Sequence, residues 1–120
     1  MQVVVQNGAQ HGLSRRNVER MVTLFPAAWS RGVESIALCG GPELRASFHA
    51  KERVLSLSWP TNPPFPTASE AVVVLVAALA AVSELGAVPK KFAPATYVAR
   101  SDAVAIVRDN CLHALSRSGA

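Results

Sequence analysis

Cysteine, aromatic side chains and charge are all scarce in this chain, and each shortage removes a class of function. Two cysteines, Cys39 and Cys111, cannot build a multi-disulfide scaffold, and no C-x-x-C or mixed Cys/His cluster supplies a zinc-ligand spacing. Two tryptophans, one tyrosine and four phenylalanines leave few rings for stacking on single-stranded nucleic acid, because Phe25, Trp29, Phe48 and Trp59 fall on packing positions. Only 17% of residues are charged while half are hydrophobic, which excludes a chain too polar to fold. Neither the phosphate loop G-x-x-x-x-G-K-[ST] nor the dinucleotide fingerprint G-x-G-x-x-G occurs, so Gly40-Gly41-Pro42 reads as a turn. No charged N-terminal region followed by an apolar run and a cleavage site is present, so no secretory leader is expected. There is no internal repeat. The expectation is a single domain over residues 1–120, intracellular (cytoplasmic) and reduced, with no cofactor, no metal site and no membrane partner.

What the chain does have is a run of twelve residues, Ala71 to Val82, without one polar side chain. The apolar run is shorter than the roughly 20 residues that cross a bilayer. It is longer than a typical strand of about 4 to 8 residues, and its five alanines suit a helix better. Thr67 or Ser69 can cap the start, Glu70 suits the positive end of the helix dipole, and Gly86 can close the far end. The spacing predicts a helix from about Ser69 to Leu85. At 100° per residue, Val72, Leu75, Val76, Leu79 and Val82 make a bulky face, opposite a stripe of Glu70, Ala77, Ala80, Ala81 and Glu84. Burying the five bulky residues contributes on the order of 7–15 kcal/mol gross, before the entropy of ordering. Such a helix belongs inside the molecule.

Around it the patterns alternate between periods. Gln2 to Gln6 reads as a short strand, or as a segment that adds to a sheet edge. Ser14 caps a helix carrying Val18, Met21, Val22 and Phe25 on one side and Arg15, Arg16 and Arg20 on the other, with a restart at Pro26 and an end at Gly32. From Val33 the period becomes two. Residues 33–39, 44–50 and 53–59 predict three strands in an antiparallel meander. With Lys51-Glu52 as the hairpin loop, Phe48 faces Leu55, Ala46 faces Leu57, Ser47 faces Ser56 and Arg45 faces Ser58. Pro60, Pro63, Pro64 and Pro66 stiffen the crossing to the central helix. Pro89 and Pro94 bracket a basic loop, a last helix starts at Ser101, and Arg117 to Ala120 are expected to fray. The fold class expected is α+β: a three-stranded meander, with a fourth N-terminal strand as an option, packed in two layers against the buried helix and an N- and a C-terminal helix.

A helix, an antiparallel meander and then a buried helix is similar to the core order of small zincin-type metallopeptidases over residues 14–86. That family carries H-E-x-x-H on its buried helix, two histidines for zinc and a glutamate as base. Residues 69–85 here contain no histidine, so the resemblance implies at most a hydrolase-like scaffold that lacks its motif.

Arg45, Ser47, His49, Ser56 and Ser58, with Ser35 beside them, share the polar face of the hairpin, where an anion or a peptide edge could be held. Asp109 and His113 stand one helical turn apart, the spacing of two ligands to one metal, but a site needs at least one more ligand, which only folding could supply from His49, His11 or a cysteine. A cysteine nucleophile would need a base beside Cys39 or Cys111, and nothing in the sequence supplies one. The leading expectation is a small, non-enzymatic protein-interaction module, with the small-residue stripe as a self-association seam if no other helix covers it. The alternative is a nucleic-acid accessory protein using Arg15, Arg16 and Arg20 of basic helix 14–31 with the Lys90-Lys91 loop, in keeping with a net charge of +4.

Overall fold

A computed structural model describes residues 1–117, as an α+β fold in which one mixed four-stranded sheet is packed with five helices. Residues 118–120, and with them most of the fraying expected at the C-terminus, lie outside the described residues. The chain runs β1 (Gln2–Val5), a single 3-10 turn, α1 (Arg15–Val22), α2 (Ala27–Gly32), β2 (Ser35–Gly41), β3 (Arg45–His49), β4 (Val54–Pro60), α3 (Ala68–Leu85), α4 (Pro94–Ala99) and α5 (Asp102–Arg117).

The central helix forms where its caps dictate. The Thr67 hydroxyl accepts from the Glu70 amide at 3.1 Å while the Glu70 carboxylate accepts from the Thr67 amide at 3.0 Å, a complete capping box. Gly86 closes the C-terminus at φ 73°, a left-handed conformation that glycine adopts without penalty. Val72, Leu75, Val76 and Leu79 are almost wholly buried and Val82 nearly so. The alanine stripe is buried too. Ala77, Ala80 and Ala81 are at most 1% exposed, because α2, α4 and α5 all pack against α3. The stripe is therefore an internal packing surface, and the self-association seam expected along it does not exist. Its small side chains let neighbouring helices of the same chain come close. By length and composition α3 could cross a membrane, at a mean hydropathy of 1.9; here it is the core helix, 56% of it buried inside the domain.

The sheet departs from the meander in order and direction. The β3–β4 hairpin is antiparallel with the register expected: Phe48 pairs with Leu55, Ala46 with Leu57, Ser47 with Ser56 and Arg45 with Ser58. However, β2 pairs with β4, in parallel, and β1 joins β2, also in parallel, giving the order β1-β2-β4-β3. Alternation decides which side chains share a face, but not which strands are neighbours. Burial makes that choice. β4 buries more of its residues than any other strand, and its central position brings Leu55 and Leu57 beside Ile36 and Leu38. β3 carries Arg45 and His49 and suits an edge, where charge discourages unwanted pairing. The strand β2 also runs through Gly40 and Gly41, which pair with Trp59 and Pro60, so the turn begins only at Pro42. A Cβ on Gly41 would lie 3.0 Å from the Ser58 Cβ, which explains glycine there.

The hairpin ends at Arg53, which has φ 55° and is held there from two directions. Its carbonyl accepts from the Glu34 amide at 2.8 Å, and its guanidinium donates to the Arg31 carbonyl at 3.1 Å. Ser14 caps α1 as expected, accepting from the Asn17 amide at 3.0 Å. Residues 88–100, expected as loop up to the last helix, contain a helix not expected from the sequence: Pro94 opens α4 at a position where its missing amide costs nothing. Tyr97 of α4 donates its hydroxyl to the Glu84 carboxylate; burial and that bond push its pKa up to about 12. α4 and α5 pack on α3, adding a tier of helix above the two layers expected.

Candidate functional site

All the helices contribute to one core over a single face of the sheet, built on Val3, Ile36, Leu38, Leu55, Leu57 and Trp59. The opposite face carries Gln2 and Val4 of β1, Ser35, Ala37 and Cys39 of β2, Val54, Ser56 and Ser58 of β4, and Arg45, Ser47 and His49 of β3. The structure thus brings Arg45, Ser47, His49, Ser56, Ser58 and Ser35 onto one surface. Arg45, Ser47 and His49 are exposed, while the three serines on the inner strands are half-buried. Ser58 is already committed. Its hydroxyl lies 2.6 Å from the Glu43 carbonyl and 3.2 Å from that of Arg45, so it fastens the link between β2 and β3 and has no proton to spare for a ligand.

The basic residues read as a nucleic-acid surface lie apart in the structure. Arg15, Arg16 and Arg20 lie on α1, which packs against β1, and Arg15 pairs with Glu19 at 3.6 Å. Lys90 lines a hollow with Glu43 and Arg45 beside β3, and Lys91 sits near Tyr97 and Arg100. The helical residue pair expected to suit a metal is split, since Asp109 accepts from Arg108 Nε at 2.9 Å and His113 points to solvent. Among the described residues no three His, Cys, Asp or Glu side chains converge. Both thiols are free. Burial raises the pKa of Cys39 and pushes that of Cys111 up to about 12, so both favour the unreactive thiol over the thiolate.

Two further features were not read from the sequence. The first is the free edge of β1. The Gln2 amide donates to the Glu34 carbonyl at 2.9 Å, which fixes the parity of the ladder: the main chains of Gln2 and Val4 face β2, and those of Val3 and Val5 face outward. Val4 and Val5 are 44% and 38% exposed, and no charge or proline guards the strand. A groove of about 510 Å³ separates this edge from Arg15 and Glu19 of α1.

The second is a cleft of about 740 Å³ where β1, β2 and β4 end, all three with their carboxyl termini on the same side. His11 fixes its floor. Its Nε2 donates to the Leu57 carbonyl at 3.0 Å and its Nδ1 accepts from the Leu13 amide at 2.9 Å, an arrangement only the neutral ring can make. Burial lowers its pKa, in spite of the bond to the Leu57 carbonyl. Its ring rests on Trp59 at 5.4 Å between centroids. Gly12 allows the approach, since a Cβ there would lie 2.2 Å from the Trp59 ring. No local pattern marks this site, because 46 residues separate His11 from its partner Leu57.

No protein-family model, curated protein sequence or solved structure matches this chain.

Proposed function

We propose that this chain is an intracellular, non-enzymatic protein-interaction module whose partner is a second copy of itself, joined through the open edge of β1. The observation that carries this reading is the outward-facing main chain of Val3 and Val5 on a strand with two exposed valines and no charged residue of its own. Two such edges related by a two-fold axis centred on Val4 would pair antiparallel. Val3 of each copy would exchange main-chain bonds with Val5 of the other, and the two Val4 side chains would meet across the axis. The groove beside α1 leaves room for the incoming strand. The joined sheets would carry the open faces of both copies, with Arg45, Ser47, His49 and Ser56 available to further partners. Free thiols at Cys39 and Cys111 suit a reducing compartment.

Size-exclusion chromatography with light scattering tests this directly. The chain should run as a dimer at high micromolar concentration, and Val4→Lys, an exposed substitution, should weaken the dimer by about tenfold or more. A wild-type chain that stays monomeric there overturns the reading.

A second reading, nucleic-acid binding, draws on the exposed and unpaired Arg16 and Arg20 of α1. It requires measurable binding to duplex or single-stranded DNA or RNA by fluorescence anisotropy at about 50 mM salt, where phosphate contacts are strongest. No binding at that salt eliminates it.

A further inference from the structure

We infer that the cleft at the carboxyl ends of β1, β2 and β4 binds an uncharged, flat aromatic small molecule, which stacks on Phe65 beside the largely buried Trp59 and hydrogen-bonds to Gln10 and Thr61. The site is separate from the β1 edge, and the inference stands whether or not the chain self-associates.

Position, size, charge and shape each contribute. The carboxyl ends of parallel strands are where open sheets of α/β type take their ligands, because the connecting loops diverge there. At about 740 Å³ the cleft falls within the roughly 300–1,000 Å³ of small-molecule sites. No Lys, Arg, Asp or Glu lines it, and both nitrogens of His11 are engaged, so nothing in the wall can compensate an ionised ligand. An ionised ligand would lose hydration against such a wall with nothing to replace it, which an uncharged ligand avoids.

The walls favour an aromatic ligand over a sugar. Phe65 is 57% exposed at the rim, yet it sits on a segment stiffened by Pro60, Pro63, Pro64 and Pro66. A large ring held open to water on a rigid support gains from being covered, and a flat ring covers it best. The polar groups on offer are few. Among the described residues, the Gln10 amide and the Thr61 hydroxyl have no partner within the chain. These suffice for one carbonyl or amide on the ligand, whereas a sugar would leave most of its hydroxyls unmatched.

The isosteric pair 2-naphthamide and 2-naphthoate, with methyl glucoside as a third arm, tests this by ¹⁵N NMR titration of the full chain. 2-Naphthamide should shift the Trp59 indole, Gln10 and Thr61 resonances, with a Kd of about 0.1–1 mM for so small a probe. The carboxylate should bind about tenfold more weakly or worse, and the glucoside should leave the spectrum unchanged. Phe65→Ala should weaken the amide about fivefold or more, whereas Leu85→Ala, which truncates an exposed apolar residue outside the cleft, should leave its affinity unchanged. Phe65 is mostly solvent-facing, so its loss does not threaten the fold, and the three wild-type titrations decide the matter without any variant. The inference is overturned if 2-naphthamide leaves the cleft resonances unmoved at millimolar concentration. It is equally overturned if the carboxylate binds as tightly as the amide, if the glucoside binds in the cleft, or if Phe65→Ala binds like wild type.

Discussion

At the scale of single residues, the most constrained group is His11. Its two ring nitrogens have opposite hydrogen-bonding roles, so adding a proton to Nδ1 breaks the bond from the Leu13 amide. Burial holds its pKa below the usual value of 6.5, which makes its contribution to stability present above about pH 6.5 and lost as the pH falls through the lowered value. NMR of the imidazole nitrogens should show the Nε2–H tautomer at neutral pH, with a titration midpoint below that of a free histidine. His11→Leu should remove the corresponding slope from a plot of urea midpoint against pH, and a variant with the same slope as wild type would refute this role. Ser58 makes a related point. It belongs to the polar sheet face by alternation, but its hydroxyl fastens the β2–β3 connection. Alternation shows which way a side chain points and not what it meets there.

At the scale of elements, α3 is the most informative. Its caps, length and bulky face were all legible, because a capping box, a left-handed glycine and a 3.6-residue period are local. Its small-residue stripe was legible as a close-packing surface, but its occupant was not. The packing of α2, α4 and α5 against α3, from both sides of it in the chain, decides that the stripe is covered from within. Leu79, 1% exposed, lies at the centre of this helix. Leu79→Asp would bury a carboxylate without a partner, and it should leave the chain unfolded by near-ultraviolet circular dichroism at neutral pH. A native spectrum for that variant would contradict the packing described. The strands illustrate the same division. The hairpin register followed from matched greasy and polar faces, whereas the insertion of β4 between β2 and β3 depended on which strand the core demanded at the centre.

At the scale of the molecule, one hydrophobic cluster draws on every strand and on all five helices. No second core exists among the described residues that could melt separately. Thermal unfolding should therefore be a single cooperative transition, with circular dichroism and tryptophan fluorescence tracing the same curve and the van't Hoff enthalpy matching the calorimetric one. Two separated transitions would contradict a single core. Because that core occupies one face of the sheet, what is available for binding lies elsewhere: the open sheet face, the edges, the outer faces of the helices, and the cleft at the strand ends.

The amino-acid sequence alone determined the first, central and last helices with the caps of α1 and α3, the hairpin register, the sidedness of the sheet and the burial of most of residues 71–82, since each depends on side chains within one or two turns or one hairpin; α4 was not among them. Tertiary structure decided which strands are neighbours, what covers the alanine stripe, and where a cleft opens. Those outcomes depend on groups far apart in the chain, as with His11 and Leu57, and on competition among segments for a limited buried volume, which no local pattern records.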